Sequence, residues 1–139
     1  MFSPLAQLLA AQPRVPQWFA RRAANPAVLQ RLLDSTGSKL DTEGQRLYGR
    51  LVTDPTHAAG ALRMMASWAL QPLAEALPRL QIPLHLLAGT RDLTVPPSHS
   101  QRVQRIVPGA VFQSLSGLGH LAHEEDAAAV MAAMAGALA

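Results

Sequence analysis

The strongest constraint on what this chain can fold into lies from Pro83 onward. Residues 83–89, Pro-Leu-His-Leu-Leu-Ala-Gly, are a short apolar run closed by glycine, the pattern of a buried parallel strand. A loop with Asp92 and Pro96-Pro97 follows, and then Val103, Ile106 and Val107 recur at helical spacing within residues 98–107. Pro108-Gly109 marks a turn, and residues 110–115 read as a second strand. Gly117-Leu118-Gly119-His120 is a loop, and residues 126–138 form an alanine-rich helix. Glu124, Glu125 and Asp126 sit near that helix's positive end and are read as helix-start charges. Strand, helix, strand, helix implies α/β architecture: two parallel strands joined by a right-handed crossover.

Upstream of Pro83 the pattern changes. Residues 1–82 hold five or six short helices separated by prolines, with no credible strand. Asn25-Pro26 and Asp54-Pro55 each place a capping side chain before a proline at the first helical position. Leu29, Leu32 and Leu33 then share a face, as do Leu62, Met65 and Ala66. Residues 35–38, with Gly37, read as a break. Asp41 caps a further helix carrying Leu47, Tyr48 and Leu51, and Pro72 opens a short segment that ends at Pro78.

Composition removes several classes of function. Of 139 residues, 49% are hydrophobic and 15% charged, which fits one globular domain and not a disordered chain. The net charge is +3, and every basic residue except Lys39 is an arginine. The arginines are scattered, Arg21-Arg22 reading as a solvated pair, and aromatics are only 4%, so no nucleic-acid platform is expected. Without cysteine there are no disulfides or thiolate metal sites. The opening MFSPLAQLLAAQP lacks a basic residue before its apolar run and is interrupted at Pro13 and Pro16, unlike a signal peptide. No apolar stretch is long enough to span a bilayer. A cytoplasmic protein is expected.

Asp92 and His120 carry the chemistry. Each follows a predicted strand, and parallel sheets gather catalytic groups outside the carboxyl ends of their strands. Neighbouring strands lie about 4.8 Å apart, so an acid after one and an imidazole after the next can meet. The carboxylate would fix the imidazole tautomer and leave the other ring nitrogen free to take a proton from a hydroxyl. The glycines flanking Leu118 let the loop turn and present the ring. Acid before base is the order of the α/β-hydrolase fold, in which a serine in a G-x-S-x-G elbow precedes both. None of Ser3, Ser35, Ser38, Ser67, Ser98, Ser100, Ser114 and Ser116 stands in that pentapeptide. The chain thus holds two of three triad members. His123, three residues after His120, would share a helical face with it, but no third ligand is evident and no metal or cofactor is expected. His57, in a helix's first turn, His85, in the strand, and His99 have no partner by spacing. Met64, Met65 and Trp68 form an apolar group, with core packing the default and a pocket lining the alternative.

GTRDLTVPP (89–97) and GLGHLAHEE (117–125) resemble the last two strand ends of α/β-hydrolases in general, which fixes the fold better than the substrate. LLDSTGSKLDTEGQRLYGRL (32–51) and HAAGALRMMASWAL (57–70) are similar to the cap of the magnesium-chelatase accessory proteins of bacteriochlorophyll synthesis. FSPLAQLLA (2–10) resembles that family's lead-in to the cap. The resemblance implies a C-terminal part of an α/β-hydrolase fold: a helical cap over residues 1–70, and the last two core strands over residues 71–139. It implies Asp92 as triad acid and His120 as triad base, with the nucleophile and earlier strands in a missing N-terminal half. It implies protoporphyrin or Mg-protoporphyrin and magnesium chelatase subunits as partners, Tyr48, Met64, Met65 and Trp68 at the pocket, and a place near the photosynthetic membrane. It leaves open whether any reaction is catalysed. A general carboxylesterase-type hydrolase and a non-catalytic porphyrin- or chelatase-binding scaffold are the alternatives.

Overall fold

The computed structural model describes Gln12 and residues 14–138, so the segment 2–10 lies outside the described residues. Contacts divide the chain into two compact units. The first contains Thr42–Leu73 and the described part of Met1–Arg31; the second contains Leu32–Asp41 and Ala74–Ala139. Residues 32–41, grouped by the sequence reading with residues 1–70, therefore cluster with the strands.

The first unit is helical. It contains α1 (Arg14–Ala23), the first part of α2 (Pro26–Asp34), α3 (Thr42–Thr53), α4 (Pro55–Ala66) and the start of α5 (Leu70–Ala76). Both predicted proline caps are present. The Asn25 carboxamide oxygen accepts from the Ala27 amide at 2.9 Å, and the Asp54 carboxylate accepts from the Thr56 amide at 2.7 Å. Helix α5 begins two residues before Pro72, because a proline in the first turn gives up an amide that has no intrahelical partner. Helix α1 packs on α3 and α4, which pack on each other. The buried residues here are small: Pro16, Ala20, Ala23 and Ala58. Larger apolar groups stay at the surface, and Met64 is 56% and Trp68 44% exposed. The default expectation that these two pack in a core is not met, because helices meeting through alanine leave no space between them for an indole. Arg22 lies 5.9 Å from the Trp18 ring centroid, so it covers an aromatic face instead of being solely solvated.

The second unit holds the sheet. Strands β1 (His85–Gly89) and β2 (Val111–Leu115) pair in parallel, with His85 opposite Val111 and Gly89 opposite Leu115. Helix α6 (Pro97–Ile106) connects them and packs on both. The short helix α7 (Ala122–Glu125) leads to α8 (Ala127–Leu138), whose first turn is capped by the Asp126 carboxylate bonding the Ala129 amide at 2.9 Å. Leu115, Ala122 and Ala133 form the buried core, with Leu87, Leu118 and Val130 packed against it. Val107, after α6, is 2% exposed. Residue 89 at the end of β1 is glycine for a steric reason: a β-carbon there would collide with the Leu118 carbonyl oxygen.

This sheet has two strands of five residues, fewer than an independent sheet needs. Helix α8 is apolar almost throughout, yet Met131 is 62% and Met134 46% exposed. A helix apolar on all sides is stable when covered on all sides. The chain on its own is expected to self-associate or aggregate at micromolar concentration. Sedimentation velocity checks this, and a cooperative thermal transition from a soluble monomer would contradict it.

Candidate functional site

The loop after β1 is built around Asp92. The Thr90 amide donates to the Leu115 carbonyl at 2.9 Å and the Arg91 amide to the Leu118 carbonyl at 2.8 Å, so the loop starts as an extension of the sheet toward β2. The Asp92 amide then turns back to the Gly89 carbonyl at 3.1 Å. One oxygen of the Asp92 carboxylate accepts the amides of Thr94 and Val95, both at 2.8 Å. The other lies 2.9 Å from His120 Nδ1. The two predicted residues therefore touch, each from the end of its own strand.

The carboxylate is 8% exposed and the imidazole 37%. Burial by itself raises the Asp92 carboxyl, but three bonds outweigh it: the Val95 amide, the His120 side chain and the Thr94 amide, with the potential of His120 adding to them. The net result is an acid held below its ordinary value. An ionised carboxylate only accepts, so Nδ1 carries the proton and Nε2 of the neutral ring is the available base. That arrangement can draw a proton from a hydroxyl brought to Nε2 and stabilise the imidazolium that forms.

A third segment, which the sequence reading treated only as a break, holds this pair in place. The Thr36 carbonyl oxygen accepts the Leu93 amide at 3.3 Å and the His120 amide at 3.1 Å. Ser38 is buried, and its hydroxyl accepts the Leu121 amide at 2.8 Å. Gly37 has φ of +74°, and a β-carbon on it would collide with the Arg91 carbonyl. The two glycines beside Leu118 do different work. Gly117 supplies the turn with φ of +73°, whereas a β-carbon on Gly119 would lie 2.4 Å from the backbone of Gly37. Sequence signals for this contact were the glycines themselves; the spacing between residues 37 and 119 carried none.

Glu125 also departs from its predicted role. It ends α7 instead of starting a long helix, and its side chain is 4% exposed. Its carboxylate accepts the Gly119 amide, the Lys39 amide at 2.9 Å and the Arg91 guanidinium at 3.0 Å. Arg91 additionally donates to the Gly117 carbonyl at 2.6 Å. Beside this network lies a cavity of about 510 Å³, lined by Asp34, Gly37, Ser38, Lys39, Thr90, Arg91 and Leu93.

The remaining candidates lie elsewhere. His120 precedes α7 and His123 lies on it, so the two do not share a helical face; His123 approaches Glu124 at 3.4 Å instead. No group of three or more His, Asp or Glu side chains able to hold a metal occurs among the described residues. His57 stands in the first turn of α4. His85, in β1, lines a second cavity of about 610 Å³ with Pro83, Leu87, Met134 and Ala137. Tyr48, Met64, Met65 and Trp68 belong to the helical unit, and neither cavity includes them.

Comparison with known proteins gives a family and a relative. The model of a family described as alpha/beta hydrolase matches residues 1–133, a span that includes both Asp92 and His120. The magnesium-chelatase 30 kDa subunit of Rhodobacter capsulatus is 41% identical over 124 residues, covering 89% of this chain and 43% of that protein. The chain thus spans less than half the length of that relative.

The depressed Asp92 carboxyl sets an acid limb on stability. Its contribution is complete above the ordinary aspartate value of about 3.9 and is lost as pH falls through the lower folded-state value. Replacing Asp92 by Asn is expected to cost about 2 kcal/mol at pH 7 and to flatten the decline below pH 4. Urea denaturation of both forms across pH 3–7, followed by tryptophan fluorescence at nanomolar concentration where association is suppressed, measures this, and parallel profiles would contradict it.

Proposed function

We propose that this chain, which belongs to the alpha/beta hydrolase family, is the C-terminal part of an accessory protein to magnesium chelatase in bacteriochlorophyll synthesis. The observation that carries the reading is the 41% identity to a magnesium-chelatase subunit across 89% of the chain. In this reading residues 1–70 serve as a helical cap and residues 71–139 as core, with the 32–41 segment attached to the core unit. Protoporphyrin or Mg-protoporphyrin is the ligand, and the chelatase subunits are the protein partners. Met64 and Trp68, both well exposed, together with Tyr48 and Met65, offer thioether and aromatic surface to a flat apolar ring. No helix among the described residues is long and apolar enough to cross a membrane, and the reading includes a peripheral place at the photosynthetic membrane.

Asp92 and His120 act in the reading as acid and base of a triad. His120 Nε2 takes the proton of a nucleophilic hydroxyl supplied from outside this sequence, and Asp92 stabilises the resulting imidazolium. The 2.9 Å contact and the ionised carboxylate support that role. A second reading keeps the porphyrin and the chelatase but assigns no reaction. The relative's name, which specifies a subunit of magnesium chelatase and no hydrolytic step, favours it.

Deleting the coding sequence in the organism that carries it tests the function, and complementation with His120→Ala separates the two readings. Deletion is expected to accumulate protoporphyrin and to lower Mg-protoporphyrin at least several-fold; unchanged pigment would overturn the proposal. Failure of the His120→Ala gene to complement supports catalysis, and full complementation supports the scaffold.

A further inference from the structure

The three loops that build the site converge on one carboxylate that belongs to neither the acid nor the base. Glu125 is nearly inaccessible, with 4% of its side chain exposed. A carboxylate placed so deeply needs donors for its lone pairs, and it has three from three different segments. The Lys39 amide comes from the segment after α2, the Gly119 amide from the loop after β2, and the Arg91 guanidinium from the loop after β1.

The positions of those donors in the sequence matter. Arg91 immediately precedes Asp92, and Gly119 immediately precedes His120. Glu125, by pairing with Arg91 and accepting the Gly119 amide, therefore ties the neighbour of the acid to the neighbour of the base. The Arg91 bond to the Gly117 carbonyl adds a second strap across the same gap. By contrast, the Asp92 and His120 side chains meet through the 2.9 Å contact at Nδ1, and the imidazole is 37% exposed. An exposed ring on a glycine-flanked loop has freedom to rotate away unless its backbone is held.

We propose that Glu125 is a positioning residue for the Asp92–His120 pair, holding the base-bearing loop against the acid-bearing loop through Gly119 and Arg91. The inference rests on the reading of Asp92 and His120 as acid and base. Glu125 touches no reacting atom in this arrangement. Its effect reaches the imidazole as tautomer selection: with the loops held, Nδ1 stays within reach of the Asp92 carboxylate and keeps the proton. Without Glu125, Gly119 loses its acceptor, Arg91 loses its anion, and the ring samples positions in which Nε2 carries the proton instead. A ring protonated at Nε2 cannot accept one there.

Long-range ¹H–¹⁵N spectra of the imidazoles read this directly. The sample is the longer protein of which the reading above makes this chain the C-terminal part, near pH 8, compared with its Glu125→Ala, Glu125→Gln and Arg91→Ala variants. The wild type is expected to show His120 almost wholly as the Nδ1-protonated tautomer. Glu125→Ala is expected to raise the Nε2-protonated form at least five-fold relative to it. Arg91→Ala, which leaves the two amide bonds to Glu125 in place, is expected to give a smaller shift in the same direction. Glu125→Gln keeps one carbonyl acceptor and is expected to restore part of the wild-type ratio, which also covers the case in which the alanine variant does not fold. A wild-type His120 lacking the Nδ1-protonated form would overturn the acid–base reading itself. A wild type with that form, matched by folded Glu125→Gln and Arg91→Ala proteins with unchanged ratios, would overturn only the role of Glu125.

Discussion

Parallel pairing of β1 and β2 is the constraint on which the site depends. Antiparallel strands would carry their ends to opposite edges, whereas parallel strands bring both carboxyl ends to the same one. The register, with Gly89 opposite Leu115, sets the two loops side by side. Asp92 follows β1 by three residues and His120 follows β2 by five, and the longer reach of the second loop is taken up by the turn at Gly117. The polar contacts that follow, from the Arg91 amide on Leu118 to the imidazole on Asp92, are available because that edge exists.

The sequence made this edge legible because its signals are local. An apolar run closed by glycine, a proline-marked turn and a glycine-flanked histidine each identify themselves within a few residues. Proline caps at Asn25 and Asp54 were readable for the same reason. What the sequence did not disclose was long-range. Residues 35–38 look like a simple break, and nothing near them announces that Thr36 and Ser38 bind the loop holding His120. Glu125 lies among acidic residues at a helix start, where charge–dipole attraction already accounts for it. Its burial depends on Lys39 and Arg91, which are remote in sequence. The exposure of Met64 and Trp68 was likewise hidden, because helical periodicity says which residues share a face but not how closely that face is approached.

The helical and sheet-bearing units use different means of holding together. Helices α1 and α4 bury mainly alanines, Ala20, Ala23 and Ala58, while α3 has no alanine and buries none of its residues fully, and larger side chains such as Trp18 and Met64 remain outside. The sheet unit has a small apolar core around Leu115 and relies heavily on polar bonds between loops. Among the described residues no buried side-chain polar atom is left without a partner there or elsewhere. Polar networks of this kind are specific when complete and costly when one member is lost.

The Thr36 carbonyl has a consequence of its own. One oxygen accepts amides from both Leu93 and His120, so a single peptide plane serves as latch for the acid loop and the base loop at once. Rotation of that plane releases both amides in one movement. The two loops thus share one backbone acceptor that belongs to a third segment. A displacement of Thr36 would therefore act on the Asp92 loop and the His120 loop together, through backbone atoms alone.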